Sequence, residues 1–190
     1  MNYRDASVQL ADYRRQIAEL RDKMHDVRAA AEPEEVVDYV FGSTDGAVRL
    51  SELFRGKADL IIIHNMGFSC PNCTLWADGF NGIYDHLADR AAFVVSSPDT
   101  PDRQKQFAAS RSWRFPMVSH SGTSFAADMG YRAADGGWLP GVSVFRSEAD
   151  RILRVTDTGF RQGDDFCALW HMFDLLPGGA GGWQARHEYG

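Results

Sequence analysis

Residues 60–73 are LIIIHNMGFSCPNC, an apolar run followed by a short loop and a Cys-x-x-C pair. The run over residues 60–63 is rich in β-branched side chains and short, which is typical of a buried strand. Pro71 suits the first turn of a helix, because the N–H that proline lacks would have no partner there. The pattern therefore predicts a strand that leads into a helix with Cys70 and Cys73 at its N-terminus.

This placement favours thiolate chemistry at the two cysteines. A thiol at a helix N-terminus lies beside unpaired backbone N–H groups and the positive end of the helix dipole. Cysteines in such positions have a pKa of roughly 3.5–7.5, against about 8.5 for free cysteine. Cys73 follows Cys70 by about one helical turn, within reach of a mixed disulfide formed there. We therefore predict a thiol–disulfide oxidoreductase with Cys70 as nucleophile and Cys73 as resolving cysteine.

The composition limits the remaining function classes. The chain has 190 residues, of which 44% are hydrophobic, and a net charge of −6. Without a basic block, neither nucleic acid nor an anionic membrane is expected as a partner. The sequence shows no secretory signal and no apolar run long enough to span a membrane, so we expect a cytoplasmic location. In a reducing compartment, a Cys-x-x-C pair is more often catalytic or metal-binding than structural.

The charged segment at the N-terminus is predicted to be an amphipathic helical arm over residues 1–32. Its apolar residues recur at alternating steps of three and four: Leu10, Tyr13, Ile17, Leu20, Met24 and Val27. Such a seam fits a helix packed on its own domain as well as a coiled-coil contact in a homodimer. The arm precedes a domain over residues 33–177 and a glycine-rich, loosely held tail over residues 178–190.

Strand and helix patterns alternate through the predicted domain. We expect a strand over Val36–Phe41, a hairpin turn after it, a cysteine helix with apolar positions through Leu87, and a polar helix over Pro101–Ser112. Further strands are expected around residues 93–95, 115–119, 142–145 and 152–155, and a last helix from Asp164. The aromatic-bearing loop over residues 120–138 is a candidate for substrate recognition.

This order of elements, with Cys70–Cys73 after a central strand, resembles the thioredoxin fold. The resemblance implies an α/β domain with a central mixed sheet flanked by helices, here with an N-terminal helical extension. The segment Leu139–Phe145 is similar to the loop whose proline is cis and lies against the active-site cysteines in that superfamily. It implies substrate-binding roles for Leu139 and Pro140. Trp76 is a further substrate-binding candidate, although its helical spacing also fits core packing.

Two narrower resemblances concern the redox chemistry. The segments Asp45–Lys57 and Trp113–Ser119 are similar to parts of peroxiredoxins, which implies thiol peroxidase activity as an alternative. The chain differs in having Gly67 where peroxiredoxins place Thr or Ser three residues before the peroxidatic cysteine. Cys70–Asp78 together with Gly141–Phe145 resembles a bacterial thioredoxin-like family catalogued as a domain of unknown function.

Other residue types leave a non-catalytic alternative open. The alternative is a metal-binding or protein-interaction domain. A tetrahedral zinc site would need two ligands beyond the Cys-x-x-C pair, and the candidates are His64, His86, His120 and Cys167. His64 also fits a proton carrier or a structural histidine, and Asp78 fits an aid to thiol deprotonation or an exposed carboxylate. Cys167 fits a small buried hydrophobe. We assign no metal ligand and expect no cofactor, with protein or small-molecule disulfides and thiols as partners.

Overall fold

All 190 residues are described by a computed structural model of the chain. The chain divides into two compact units, Met1–Pro33 and Glu34–Gly190. The first unit holds helix α1 (Tyr3–Ala30), which begins where the Asn2 side chain accepts a hydrogen bond from the Asp5 backbone N–H at 2.9 Å. Every residue of the predicted apolar seam is exposed, with exposed fractions between 46% and 70%.

The second unit contains all the strands and the remaining helices. The strands are β1 (Glu34–Val36), β2 (Val40–Ser43), β3 (Gly46–Arg49), β4 (Asp59–His64), β5 (Ala92–Ser97), β6 (Met117–Ser119), β7 (Gly141–Glu148) and β8 (Arg151–Gly159). The helices are α2 (Leu50–Leu53), α3 (Pro71–Gly82), α4 (Tyr84–Arg90), α5 (Pro101–Arg111), α6 (Phe125–Asp128) and α7 (Ala168–Phe173).

The eight strands form one mixed sheet in the order β1-β8-β7-β4-β5-β6-β2-β3. The interior strand β4 runs parallel to β5 and antiparallel to β7. The strand pair β5 and β6 is also parallel, and the outer pairs are antiparallel. The predicted α/β fold with a central mixed sheet and an N-terminal helix is therefore confirmed.

Strand β4 is buried on both faces, which explains its continuous apolar run. Leu60 and Ile62 belong to the core cluster that contains Phe125. Ile63 points to the opposite face and belongs to the cluster that contains Trp76. Because side chains alternate along a strand, a single apolar run serves both cores.

The prediction of one strand over Val36–Phe41 is wrong. The chain forms β1 and β2 instead, which pair with different strands of the sheet, β8 and β6. Between them, the Asp38 carboxylate accepts hydrogen bonds from the backbone N–H and the hydroxyl of Ser51, at 2.8 and 2.9 Å. The Tyr39 hydroxyl donates to Asp128 at 2.8 Å. These long-range contacts hold the chain away from a continuous strand.

The predicted cysteine helix ends earlier in the structure than predicted, and the predicted C-terminal helix begins later. The cysteine helix ends at Gly82, and α4 carries the later apolar position, Leu87. The last helix begins at Ala168, because the Asp164 carboxylate instead accepts backbone hydrogen bonds from Arg161 and Phe166 in a preceding turn. None of the helices is both long enough and apolar enough to cross a membrane.

Gly141 provides a test of the packing between β7 and the loop before it. A Cβ atom at this position would lie 2.1 Å from Tyr131 Cε1 and 2.6 Å from the Thr158 carbonyl oxygen. Since backbone cannot move aside cheaply, we expect Gly141→Ala to lower the free energy of unfolding by roughly 3 kcal/mol, the upper range of overpacking. Urea denaturation measures the change.

The matched control is Gly79→Ala, in the exposed interior of α3, where an added Cβ meets no atom within 4 Å. There alanine is expected to raise the free energy of unfolding by up to about 1 kcal/mol through helix propensity. Equal effects of the two substitutions would contradict the packing described for Gly141.

Candidate active site

The loop between β4 and α3 is held by contacts with the next strand and with Asp99. The Asn65 backbone N–H donates to the Ser96 carbonyl at 2.9 Å, and the Phe68 N–H donates to the Asp99 carboxylate at 2.9 Å. Gly67 has a φ of +106°, and a Cβ there would lie 3.1 Å from the Asp99 carboxylate. A glycine is therefore required for this approach.

Cys70 is the N-cap residue of α3, and Pro71 is the first residue of the helix. The Cys70 Sγ accepts a hydrogen bond from the Cys73 backbone N–H at 3.0 Å. The pKa of Cys70 is lowered to about 7, because the Cys73 thiol and the backbone N–H groups of Cys73 and Asn72 donate to the thiolate and outweigh its partial burial. Cys70 therefore has substantial thiolate character near neutral pH.

Cys73 has the opposite character. It is buried, with an exposed fraction of 3%. Its pKa is raised, first because its thiol donates a hydrogen bond to Cys70, and then through burial and the negative charge of the Cys70 thiolate. Cys70 thus has the properties of a nucleophile, whereas Cys73 is a thiol that stays protonated near neutral pH.

The predicted substrate-binding residues lie in two different environments. Leu139 is 42% exposed and Pro140 is half-buried, and both border a cavity of about 360 Å³ together with Tyr131 and Phe160. Trp76 is only 4% exposed, so its indole packs in the core and presents little surface to a substrate. All peptide bonds are trans, so the cis conformation implied for Pro140 is wrong for this loop.

Phe160 links these two environments, and no sequence pattern indicated its role. Its ring packs against the Trp76 indole at a centroid distance of 5.4 Å. Its backbone N–H donates to the Pro140 carbonyl at 2.9 Å. The cysteine helix and the proline loop are therefore connected through the residue that follows β8.

Two candidate histidines are buried in a polar layer of the core. His64 stacks on Tyr131 at a centroid distance of 3.8 Å, and its Nε2 lies 2.9 Å from the Ser143 hydroxyl. His120 Nδ1 lies 2.8 Å from the Ser96 hydroxyl. Burial lowers the pKa of His64 to about 3 and that of His120 to about 4. Both rings are therefore neutral near pH 7, and His64 has the contacts of a structural histidine.

The loop over residues 120–138 turns most of its aromatic side chains inward. Phe125 is fully buried and Tyr131 is 6% exposed. The Arg132 guanidinium lies over the Trp138 ring at 3.7 Å. The loop therefore builds the core next to the proline loop, and Leu139 at its end is the apolar side chain that it leaves exposed.

Asp78 is neither a free carboxylate nor a partner of Cys73. It accepts hydrogen bonds from the Arg111 guanidinium and, at 2.8 Å, from the Trp113 indole N–H. Cys167 is 7% exposed, and burial raises the pKa of its thiol. It therefore has the environment of a core residue rather than of a reactive thiol.

The metal-binding alternative needs a cluster of ligands. A tetrahedral zinc site requires four donors. No three side chains of His, Cys, Asp or Glu come together in a way that could hold a metal ion. His64, His86, His120 and Cys167 thus do not combine with the Cys-x-x-C pair into such a site.

The sequence matches the bacterial family of proteins of unknown function DUF899 over residues 1–188. The chain belongs to this family. The family resemblance predicted from the cysteine motif and the Gly141–Phe145 segment is thereby confirmed. A comparison with curated proteins finds no match.

Solved structures with a similar fold include several peroxiredoxins. Peroxidoxin BcpB from Mycobacterium tuberculosis is 26% identical, with a TM-score of 0.52 over 64% of this chain and 80% of that one. Reduced Prx3 from Vibrio vulnificus is 12% identical, with a TM-score of 0.57 over 70% and 89%. Peroxiredoxin Q from Xanthomonas campestris is 18% identical, with a TM-score of 0.55 over 64% and 79%. These likenesses show a peroxiredoxin- and thioredoxin-like fold for this chain.

The contrast between the two cysteines is testable by substitution. We expect Cys73→Ala to raise the pKa of Cys70 from about 7 toward the free-cysteine value of about 8.5, because the thiol that donates to the thiolate is lost. The rate of iodoacetamide alkylation against pH, with mass spectrometry to locate the modified residue, measures this pKa. Cys167→Ala serves as the control and leaves it unchanged. If Cys73→Ala also leaves it unchanged, the described hydrogen bond does not set the reactivity.

The buried histidines predict sensitivity to acid. The unfolded chain binds protons at histidine below about pH 6.5, whereas the folded values are about 3 for His64 and about 4 for His120. Stability is therefore highest above about pH 6.5 and decreases as the pH falls toward 4, by roughly 2 kcal/mol per histidine between pH 7 and pH 5. Urea unfolding at the two pH values measures the decrease.

Two histidine variants control this measurement. His120→Gln is expected to remove about half of the decrease, since one of two buried titrating rings is lost. His86→Gln, on the exposed surface of α4, leaves the decrease intact. A decrease that is the same in the parent and in His120→Gln would show that other groups dominate acid unfolding.

Proposed function

We propose that this DUF899 protein is a thiol–disulfide oxidoreductase in which Cys70 is the nucleophile and Cys73 the resolving cysteine. The observation that supports this most strongly is the N-terminal turn of α3. There the Cys70 Sγ accepts the Cys73 N–H at 3.0 Å, and the pKa of Cys70 is lowered to about 7. A thiol with a pKa near the ambient pH combines thiolate population with nucleophilicity.

In the first step, the Cys70 thiolate attacks one sulfur of a substrate disulfide. A bond forms between Cys70 Sγ and that sulfur, and the substrate's S–S bond breaks. The other substrate sulfur leaves as a thiolate and takes a proton from solvent. The product is a mixed disulfide between Cys70 and half of the substrate.

The second step follows from how the first changes Cys73. The Cys70 thiolate raises the pKa of Cys73 both by accepting its hydrogen bond and by its charge. Once Cys70 is in a mixed disulfide, both effects are gone, and Cys73 loses its proton more readily. Its thiolate then attacks Cys70 Sγ and releases the second substrate thiolate. The substrate gains two electrons, and Cys70 and Cys73 end as a disulfide.

The substrates in this proposal are protein or small-molecule disulfides and thiols, with Leu139 and Pro140 as their contact residues. The sulfur chemistry itself requires no bound cofactor. We place the activity in the cytoplasm, where the prevailing redox poise keeps such a pair largely reduced. The exposed seam of α1 is proposed as a homodimer contact.

A thiol peroxidase is the second candidate, supported by the peroxiredoxin structures with a similar fold. In that reaction the Cys70 thiolate attacks a hydroperoxide oxygen, giving a sulfenic acid and an alcohol or water. Cys73 then forms the disulfide and releases water. Gly67 offers no side-chain hydroxyl three residues before Cys70, where peroxiredoxins have one. Consumption of hydrogen peroxide with a thiol reductant separates the two candidates.

Substitution of the resolving cysteine tests the main proposal. We expect Cys73→Ser to accumulate covalent adducts with glutathione disulfide and with a disulfide-bonded protein such as insulin, because the second step is lost. Intact-mass spectrometry detects the adduct, and peptide mapping locates it at Cys70. The parent protein releases the adduct and gains an internal disulfide.

Cys70→Ser is the matched control and should form no adduct. The absence of adducts in Cys73→Ser with either disulfide would contradict the proposed order of attack. Adducts at Cys167 instead would assign the nucleophile to a different sulfur. Rapid peroxide turnover in the parent, with no disulfide exchange, would favour the peroxidase.

A further inference from the structure

The C-terminal residues 183–190, here called the strap, are folded against the rest of the second unit. The Trp183 ring packs edge-on against Trp170 and Phe173, at centroid distances of 5.6 and 5.2 Å. It also stacks on Tyr189 at 6.2 Å, and the Tyr189 hydroxyl accepts the Arg186 backbone N–H at 3.0 Å. The sequence predicted a loosely held tail, whereas these contacts give the strap a defined position.

A single guanidinium joins the strap to the cysteine helix. Arg111 donates from Nη1 to the His187 carbonyl at 2.6 Å. Its Nε donates to the Asp78 carboxylate of α3 at 3.2 Å. The His187 ring also meets the edge of Phe107 in α5, at a centroid distance of 6.0 Å. The strap thus contacts α5 directly and α3 through Arg111.

The side chain of His187 lies on the first turn of the cysteine helix. Its Nδ1 is 3.5 Å from the Thr74 hydroxyl, which donates to the Cys70 carbonyl at 3.1 Å. Thr74 is only 2% exposed, although it lies in the first turn of a helix that begins at a half-buried cysteine. The strap therefore contacts the helical turn that begins at Cys70.

The segment before the strap provides a hinge. Residues 178–182 are Gly-Gly-Ala-Gly-Gly, and Gly179, Gly181 and Gly182 have positive φ angles of 56°, 56° and 77°. Glycine changes its backbone conformation at low cost, which suits a segment that moves. Movement about this hinge separates His187 from Thr74, Phe107 and Arg111. It also lifts Trp183 from Trp170 and Phe173, and none of these contacts belongs to the sheet.

We propose that the strap is a specificity-determining element that controls which molecules reach Cys70. Small disulfides reach the thiolate with the strap in place, whereas bulky protein disulfides react only after it lifts about the glycine hinge. The identity of these substrates rests on the proposed function. The coverage of Cys70 is inferred from the contacts of His187 with Thr74 and Phe107, and it is testable without any disulfide exchange.

The test compares the alkylation of Cys70 by a small and a bulky reagent. A protein that ends at Gln184 keeps Trp183 but lacks His187, and His187→Ala removes only the imidazole. Minor open states are commonly populated at about 0.1–10%. Removing the strap should therefore raise the rate with a polyethylene glycol maleimide of several kilodaltons by at least about tenfold. The rate with iodoacetamide should change by less than about twofold, because an open state is not required.

Further measurements show whether a change in rate reflects access of the reagent to Cys70. His86→Ala, on the exposed surface of α4, should leave both rates unchanged. Unfolding midpoints check that the truncated protein and His187→Ala are folded, and His187→Ala alone carries the comparison if the truncated protein is not. In the full-length protein, bulky alkylation at Cys70 should speed hydrogen exchange of residues 183–190, whereas iodoacetamide should not.

Two outcomes would overturn the strap proposal. Unchanged rates for both reagents in the folded truncated protein would mean that the strap does not cover Cys70. An equal increase for both reagents would mean that the strap alters thiol reactivity and not access. Neither outcome depends on disulfide exchange, so failure of the oxidoreductase proposal remains distinguishable through the Cys73→Ser adducts.

Discussion

The hydrogen bonds that the Cys70 Sγ accepts, first from the Cys73 thiol and then from the Cys73 backbone N–H, make two neighbouring thiols chemically different. The backbone bond exists because Cys70 is the N-cap of α3, where backbone N–H groups have no carbonyl partner in the preceding turn. The same helical turn buries Cys73 and directs its thiol proton to Cys70. One sulfur is therefore prepared as a nucleophile while the other is kept protonated until the first has reacted.

This arrangement depends on how the sheet holds the loop before the helix. Strand β4 is buried on both faces, so its end cannot shift without disturbing two cores. Asp99, after the neighbouring strand β5, then binds the Phe68 N–H and lies against Gly67. The neutral His64 and its stacked Tyr131 fill the layer beside the end of β4. Polar groups behind the site thus add rigidity, and burial keeps the His64 ring neutral.

The peroxiredoxin-like fold and the thiol chemistry support different conclusions about this protein. A fold hosts many functions, so likeness to peroxiredoxins supports only the architecture around the cysteines. The proposed reaction depends on Cys70, Cys73 and their hydrogen bonds. Both candidate activities share the Cys70 thiolate and end in the same disulfide, and they differ in the oxidant that the thiolate attacks. The two activities therefore differ in which oxidant reaches Cys70 Sγ. In our proposals, Leu139, Pro140 and the strap control that access.

The sequence by itself determined the elements whose cause is local. The apolar run of β4, Pro71 after Cys70, and the heptad seam of α1 each predict their element from neighbouring residues. The cysteine motif over Cys70–Asp78, together with Gly141–Phe145, also predicted the family to which the chain belongs. Helix periodicity did not decide whether Trp76 packs in the core or binds a substrate, because an apolar position in a helix does not show what covers it.

The tertiary structure alone decided the contacts between distant residues. It split Val36–Phe41 into two strands through Asp38 and Ser51, and it paired Asp78 with Arg111, 33 positions away. It also brought His187 to Thr74 across 113 positions. Such contacts depend on how elements pack together, and no local pattern of hydropathy or charge records that packing. The two cysteines were therefore visible in the sequence, whereas the pairing of Asp78 with Arg111 and the contact of the strap with Thr74 required the fold.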